Sequence, residues 1–177
     1  ELLNGFLTPM TDVLLAHDAT IDKYIGDAIM AFWNAPLDIP EHSRKACLGA
    51  LAMAKAVDDM NATRGTRLRI GVGLHCGNAC VGNLGSEQRF SYSAIGDTVN
   101  LASRVEGMTK YYGQTIMVTE SVREQAADLA FVEVDRVRVV GRSEPVILHA
   151  LLGDAALAQD AGFQDRAAAH ASFLALY

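Results

Sequence analysis

Thr20-Ile-Asp-Lys-Tyr-Ile-Gly-Asp-Ala-Ile-Met-Ala-Phe-Trp33 is the stretch on which the reading of this chain turns. Two short apolar-rich runs, 21–25 and 28–33, flank Gly26-Asp27. Such runs around a two-residue Gly/Asp turn predict a β-hairpin, with glycine at the first central position of the turn. Two charged residues, Lys23 and Asp27, sit in this otherwise apolar context. A carboxylate at a hairpin tip beside a glycine is open to solvent. Mg²⁺ takes one or two such carboxylates together with substrate phosphates. Aspartate is also a common turn residue without further purpose. Lys23 can likewise be a solvent-facing lysine, or a donor to an acceptor on a base edge.

Outward from the hairpin, the upstream residues 2–17 carry Leu3, Phe6, Leu7, Met10, Val13 and Leu14 at helical spacing. Pro9 would kink this helix or open it, with Thr8 as cap. Downstream, 34–40 reads as a loop and 42–60 as an Ala-rich helix, followed by a polar turn at 61–66. Strands are expected at 68–74, 79–84 and 90–95. A helix is expected from about Val99 to Tyr112, capped by Gly96-Asp97-Thr98 and stopped by Gly113. A β-branched strand at 115–119, a short helix at 120–129 and two strands at 131–140 and 145–152 come next. Phe163, Ala167, Ala171, Leu174 and Tyr177 at helical spacing imply an appended helix. Hairpins interleaved with crossover helices predict an α+β sandwich, a mixed or mainly antiparallel sheet with helices packed on it. Several connections are too short for the crossovers of a strictly parallel sheet.

With 177 residues, half of them hydrophobic and a fifth charged, the chain can bury a substantial core. The net charge of −6 disfavours binding to a nucleic-acid backbone, although a metal ion can still bring nucleotide phosphates to an acidic protein. Cys47, Cys76 and Cys80 are too few for a disulfide framework and suggest a reducing, cytoplasmic setting. Cys76, Cys80 and His75 lack a second cysteine pair, so a metal centre there is disfavoured. There is no apolar run of about 18 residues and no signal-peptide pattern. The chain opens inside a helical pattern without an initiator methionine, so sequence is expected upstream.

A second dense stretch is Tyr92-Ser-Ala-Ile-Gly-Asp-Thr-Val-Asn-Leu-Ala-Ser-Arg-Val-Glu106. Asn100 and Arg104, four apart, project from one helix face while Val99, Ala102 and Val105 can bury the other. An amide beside a guanidinium suits a ribose oxygen and a transferring phosphoryl group. Ion pairing of Arg104 with Glu106 or Asp97 is the plain alternative. The glycines at 71, 73, 77, 82 and 85 form no phosphate-binding fingerprint and read as packing or bulge positions.

The segments 20–36 and 92–104 together resemble the catalytic domain of the bacterial class III adenylate/guanylate cyclases. So do Arg69-Ile-Gly-Val-Gly-Leu-His-Cys-Gly77, Val81-Gly-Asn83 and Gly141-Arg-Ser-Glu-Pro145. The resemblance covers about 1–152, with 153–177 left as a C-terminal helical extension. It implies a ferredoxin-like α+β core working as a head-to-tail homodimer with ATP sites at the interface. Asp27 matches the second of two metal-binding aspartates. Lys23 matches the purine-selecting position, lysine for adenine and glutamate for guanine. Ser93 matches its partner, commonly Asp or Thr in adenylate cyclases and Cys in guanylate cyclases. Asn100 matches the ribose-orienting residue, and Arg104 the residue that stabilises the α-phosphate.

The resemblance further implies two Mg²⁺ or Mn²⁺ ions per site. The family's first metal aspartate precedes the first helix and would lie upstream of residue 1. The family's Lys-Gly-Lys becomes Val139-Val140-Gly141-Arg142, with Val140 on the phosphate-contacting lysine, so that contact is lost or is supplied by Arg142. A sensor or membrane region upstream is also implied. Two competing expectations are a catalytically silent, cyclase-like domain and a guanylate cyclase, the latter disfavoured by Lys23.

Overall fold

The computed structural model describes residues 2–86, 88–138 and 145–176. The chain forms two compact units. The first takes in the described residues up to Ile70 together with Gly77–Asn100; the second takes in Gly71–Cys76 and those from Leu101 onward.

In the first unit, α1 (Leu2–Ala16) includes Pro9 within it rather than starting there. The predicted hairpin is present as β1 (Thr20–Ile25) and β2 (Ala28–Phe32), with Gly26 at φ +64° and Ile25 paired to Ala28 across the two-residue turn. The expectation of glycine in the first turn position holds. One feature escaped the sequence reading. The ladder pairs Ile21 with Ala31 and then Lys23 with Met30, leaving Asp22 as an extra, bulged residue. The bulge shifts the alternation by one. Ile21, Ile29 and Ala31 pack toward the helices, where Met10, Leu14, Met53 and Val57 form the core. Lys23, paired with Met30, is thereby turned to the opposite face.

The long helix α2 (His42–Arg64) extends four residues past the expected end. The strand expected from Leu68 is an extended segment without a ladder until β3 (Val72–Leu74). Its backbone is satisfied locally: Asn61 Oδ1 accepts from Leu68 N at 2.8 Å, and Asn61 Nδ2 donates to Leu68 O at 2.8 Å. The unit is completed by a second hairpin, β4 (Cys80–Ser86) and β5 (Arg89–Ile95), whose strands reach closer to the turn than predicted. Phe32 and Tyr92 meet with ring centroids 6.1 Å apart, joining the two hairpins.

The second unit holds a four-stranded sheet in the order β3-β6-β8-β7, with β6 at Ile116–Thr119, β7 at Ala130–Val137 and β8 at Val146–Gly153. β3 and β6 are parallel; β6 with β8 and β7 with β8 are antiparallel. The mixed, mainly antiparallel α+β architecture is therefore as expected. The helix α3 (Asp97–Tyr112) passes from the first unit into the second and sets Leu101 and Val105 against Met117, Val146 and Leu148. Each such buried side chain contributes about 2 kcal/mol of transfer free energy. The helix α4 (Glu120–Gln125) stops four residues short of expectation. After β8, Asp154 caps α5 (Ala155–Ala158) and Asp160 caps α6 (Ala161–Leu174), which buries Phe163. Residues 139–144, including Val140 and Arg142, lie outside the described residues.

The position of α3 depends on a missing side chain. A Cβ at Gly73 would stand 2.2 Å from Glu106 N and 2.6 Å from Ala102 O, both backbone atoms of the helix. Its packing role, expected from sequence, is thus against a helix. A backbone neighbour cannot swing aside. Gly73→Ala should cost about 3 kcal/mol or more in urea unfolding, at the upper end of overpacking penalties. Gly107, inside the same helix with nothing within 4 Å, should behave oppositely, with Gly107→Ala gaining about 0.5–1 kcal/mol.

Candidate functional site

The bulge in β1 sets Asp22 and Lys23 beside Ser93 of β5. Lys23 Nζ donates to Ser93 Oγ at 3.0 Å and lies 3.0 Å from Asp22 Oδ1. Ser93 Oγ donates to Asp22 Oδ2 at 2.7 Å, and Ala94 N donates to the same oxygen at 2.9 Å. The Asp22 side chain is fully buried, Ser93 is 2% exposed, and the Lys23 side chain keeps 45% exposure. The cluster thus presents one group, the ammonium, outward from a buried base.

A carboxylate without water is costly unless donors surround it. Burial pushes the Asp22 pKa up. The Ala94 N–H, the Ser93 hydroxyl and the Lys23 ammonium outweigh that, and the carboxyl titrates below its ordinary value. Among the described residues, no buried side-chain nitrogen or oxygen lacks a hydrogen-bond partner.

Of the five residues singled out from sequence, Lys23 and Ser93 are the pair joined by a described hydrogen bond. Asp27 is exposed at the hairpin tip. Asn100 and Arg104 are exposed on α3, about one turn apart. Leu101 and Val105, 1% and 0% exposed, fill the buried face of that helix. Its start is tied down where Thr98 Oγ1 donates to Asn78 O at 2.6 Å, so Thr98 bonds the preceding loop instead of capping its own helix. The anticipated partners are therefore positioned by two devices, a strand bulge and a pinned helix start.

Asp22 is the residue that sequence reasoning passed over. The signal was present as an acid within an apolar strand. Its partner is 71 residues away, and a two-residue period cannot show that a bulge sets Asp22 and Lys23 side by side.

The sequence profile of the adenylate and guanylate cyclase catalytic domain matches residues 1–153. Adenylate cyclase 1 of Rhizobium meliloti (strain 1021) is 36% identical over 157 residues, which are 86% of this chain and 24% of that protein. The chain therefore spans about a quarter of that curated relative's length. The crystal structure of the adenylyl cyclase CyaB from P. aeruginosa superposes with a TM-score of 0.76 at 27% identity, covering 86% of this chain and 81% of that one. The crystal structure of the guanylyl cyclase Cya2 gives 0.77 at 31% identity, covering 86% and 79%.

The Asp22 network makes a pH prediction. Its carboxyl pKa is lowered on folding, so its stabilisation is complete above the unfolded value of about 4 and is lost as pH falls through the folded value. Urea unfolding from pH 2.5 to 6 should show the stability gap between the protein and Asp22→Asn shrinking below about pH 4. A gap constant across that range would contradict a depressed carboxyl.

Proposed function

Because the chain belongs to the family of adenylate and guanylate cyclase catalytic domains, we propose that it converts ATP to 3′,5′-cyclic AMP and pyrophosphate. The observation that carries the choice of ATP is the Lys23–Ser93 hydrogen bond of 3.0 Å. It brings together the two positions that, by the resemblance, select the purine, and lysine there favours adenine. The solved structures it resembles include an adenylyl and a guanylyl cyclase, so this pair separates the two activities. We read residues 1–152 as the catalytic domain and 153–177 as its extension, working in the cytoplasm as a head-to-tail homodimer.

In this reading the ribose 3′-hydroxyl attacks the α-phosphorus. The bond to the bridging oxygen breaks, pyrophosphate leaves, and the hydroxyl proton passes to solvent. Asn100 orients the ribose. Arg104 places its planar guanidinium against the α-phosphoryl oxygens, where negative charge builds in the transition state. Lys23 and Ser93 hold the base.

Asp27 fits a divalent ion by donor chemistry, since an exposed carboxylate beside a glycine leaves room for phosphate oxygens to complete the shell. Among the described residues no group of three His, Cys, Asp or Glu could hold an ion unaided. The nucleotide and the family's other aspartate would supply the remaining ligands. Two Mg²⁺ or Mn²⁺ ions bound there would acidify the attacking hydroxyl and neutralise the leaving pyrophosphate.

Two measurements on the full-length protein test the proposal. With Mn²⁺ present, Arg104→Ala should lower cyclic AMP formation from ATP by about 10²–10³-fold while leaving the circular dichroism spectrum unchanged. Near-normal turnover would sink the assignment. Next, Asp27 would serve the site to which the partner brings Lys23, Ser93, Asn100 and Arg104. Mixing Asp27→Ala with Arg104→Ala chains should then restore one of two sites in each heterodimer, about a quarter of native activity for random pairing. No recovery would count against the split between protomers.

A further inference from the structure

Asp22 is unassigned by the reading above, yet it makes more polar contacts than any other member of the cluster. Its carboxylate accepts from the Ser93 hydroxyl at 2.7 Å and the Ala94 N–H at 2.9 Å, and faces the Lys23 ammonium at 3.0 Å. These contacts fix where the protons lie. Ser93 has a single hydroxyl proton, and Asp22 holds it. The Ser93 oxygen can therefore only accept on its Lys23 side, which it does. Two of the three ammonium protons of Lys23 are thus directed inward, toward Ser93 Oγ and Asp22 Oδ1. One is left for a ligand, on a side chain that is 45% exposed.

We propose that Asp22 is a positioning residue for purine selection: with Ser93 it locks the Lys23 ammonium so that one fixed donor faces the base. The inference rests on the reading of Lys23 as the purine-selecting residue. A fixed donor suits adenine, whose Watson–Crick edge carries an acceptor at the ring nitrogen. Guanine carries an N–H at that atom, and two donors cannot pair. A mobile ammonium could swing to guanine's carbonyl oxygen. A locked one cannot follow, so immobilisation itself becomes the source of selectivity.

This differs from a structural role alone. A purely structural Asp22 would change how much protein is folded, and not the ratio of two ligands bound by the folded fraction. The lowered pKa of Asp22 agrees with the geometry, because the carboxylate stays charged wherever the enzyme would work.

The test is calorimetric. Dissociation constants of α,β-methylene ATP and α,β-methylene GTP, which cannot be cyclised, are measured on the full-length protein and on Asp22→Asn. The native protein should prefer the adenine analogue. Asp22→Asn should lose at least about tenfold of that preference, the scale on which one base-edge hydrogen-bond pair discriminates. A native protein without preference, or a variant ratio within about twofold of native, overturns the proposal. Circular dichroism reports whether Asp22→Asn folds. If it does not, Asp22→Ser, which removes the carboxylate and leaves Ser93 and Lys23 in place, is read on the same scale: a lost preference supports the lock and a retained one overturns it. Cyclic AMP formation is assayed separately. A protein that binds as described without cyclising ATP refutes the proposed function and leaves this inference standing. A protein that cyclises ATP with the same preference in Asp22→Asn does the reverse.

Discussion

A carboxylate taken out of water must be met by enough donors to stay charged, and Asp22 meets its donors on a strand 71 residues further along the chain. That requirement organises the first unit. It holds β1 against β5, so the two hairpins share a face. It also leaves Lys23 with its ammonium anchored at one side and open at the other. A hydrophobic contact of similar size would join the strands equally well, but it could not orient protons. Stability and directionality come from the same three side chains, with the stabilising part resting on full hydrogen bonding of the buried acid.

The second unit meets a steric constraint of another kind. β3 lies so close to α3 that the strand can carry no side chain at Gly73. The sheet then holds the helix by two kinds of contact, Leu101 and Val105 reaching Met117 and Leu148 and, at β3, backbone against backbone. Its exposed face carries Arg104, and Asn100 precedes it by one turn. Precision in where these two side chains project is inherited from a helix with little freedom to shift or roll.

Much of this was legible in the sequence because it was local. Gly26-Asp27 between apolar runs specified the first hairpin, and Asn100 and Arg104 announced their common face by spacing alone. The family resemblance paired Lys23 with Ser93 across the chain, which periodicity could not do. What was missed shares a physical origin. The bulge at Asp22 is invisible to a two-residue period. The delayed start of β3 reflects Asn61 taking over the backbone groups of Leu68, a side-chain substitution for a ladder. Helix α2 ran on to Arg64 because nothing in the polar segment after Met60 breaks a helix before Gly65, which adopts φ +65°. The roles proposed for Asp27, Asn100 and Arg104 would depend on a second protomer and on ligands, and no pattern within one strand or helix encodes those.

The bulge has an evolutionary consequence. On a regular strand, positions two apart share a face, so Ile21 and Lys23 would answer to the same neighbours. Here Ile21 packs into the helical core while Lys23 faces the other way. If Lys23 selects the purine as proposed, a substitution at 21 is screened by folding and one at 23 by substrate. On that reading a lineage could exchange the residue at 23 and drift in nucleotide preference without disturbing the packing two residues away. Deleting a single residue from β1 would abolish that independence, because the strand would then have one phase and one set of constraints.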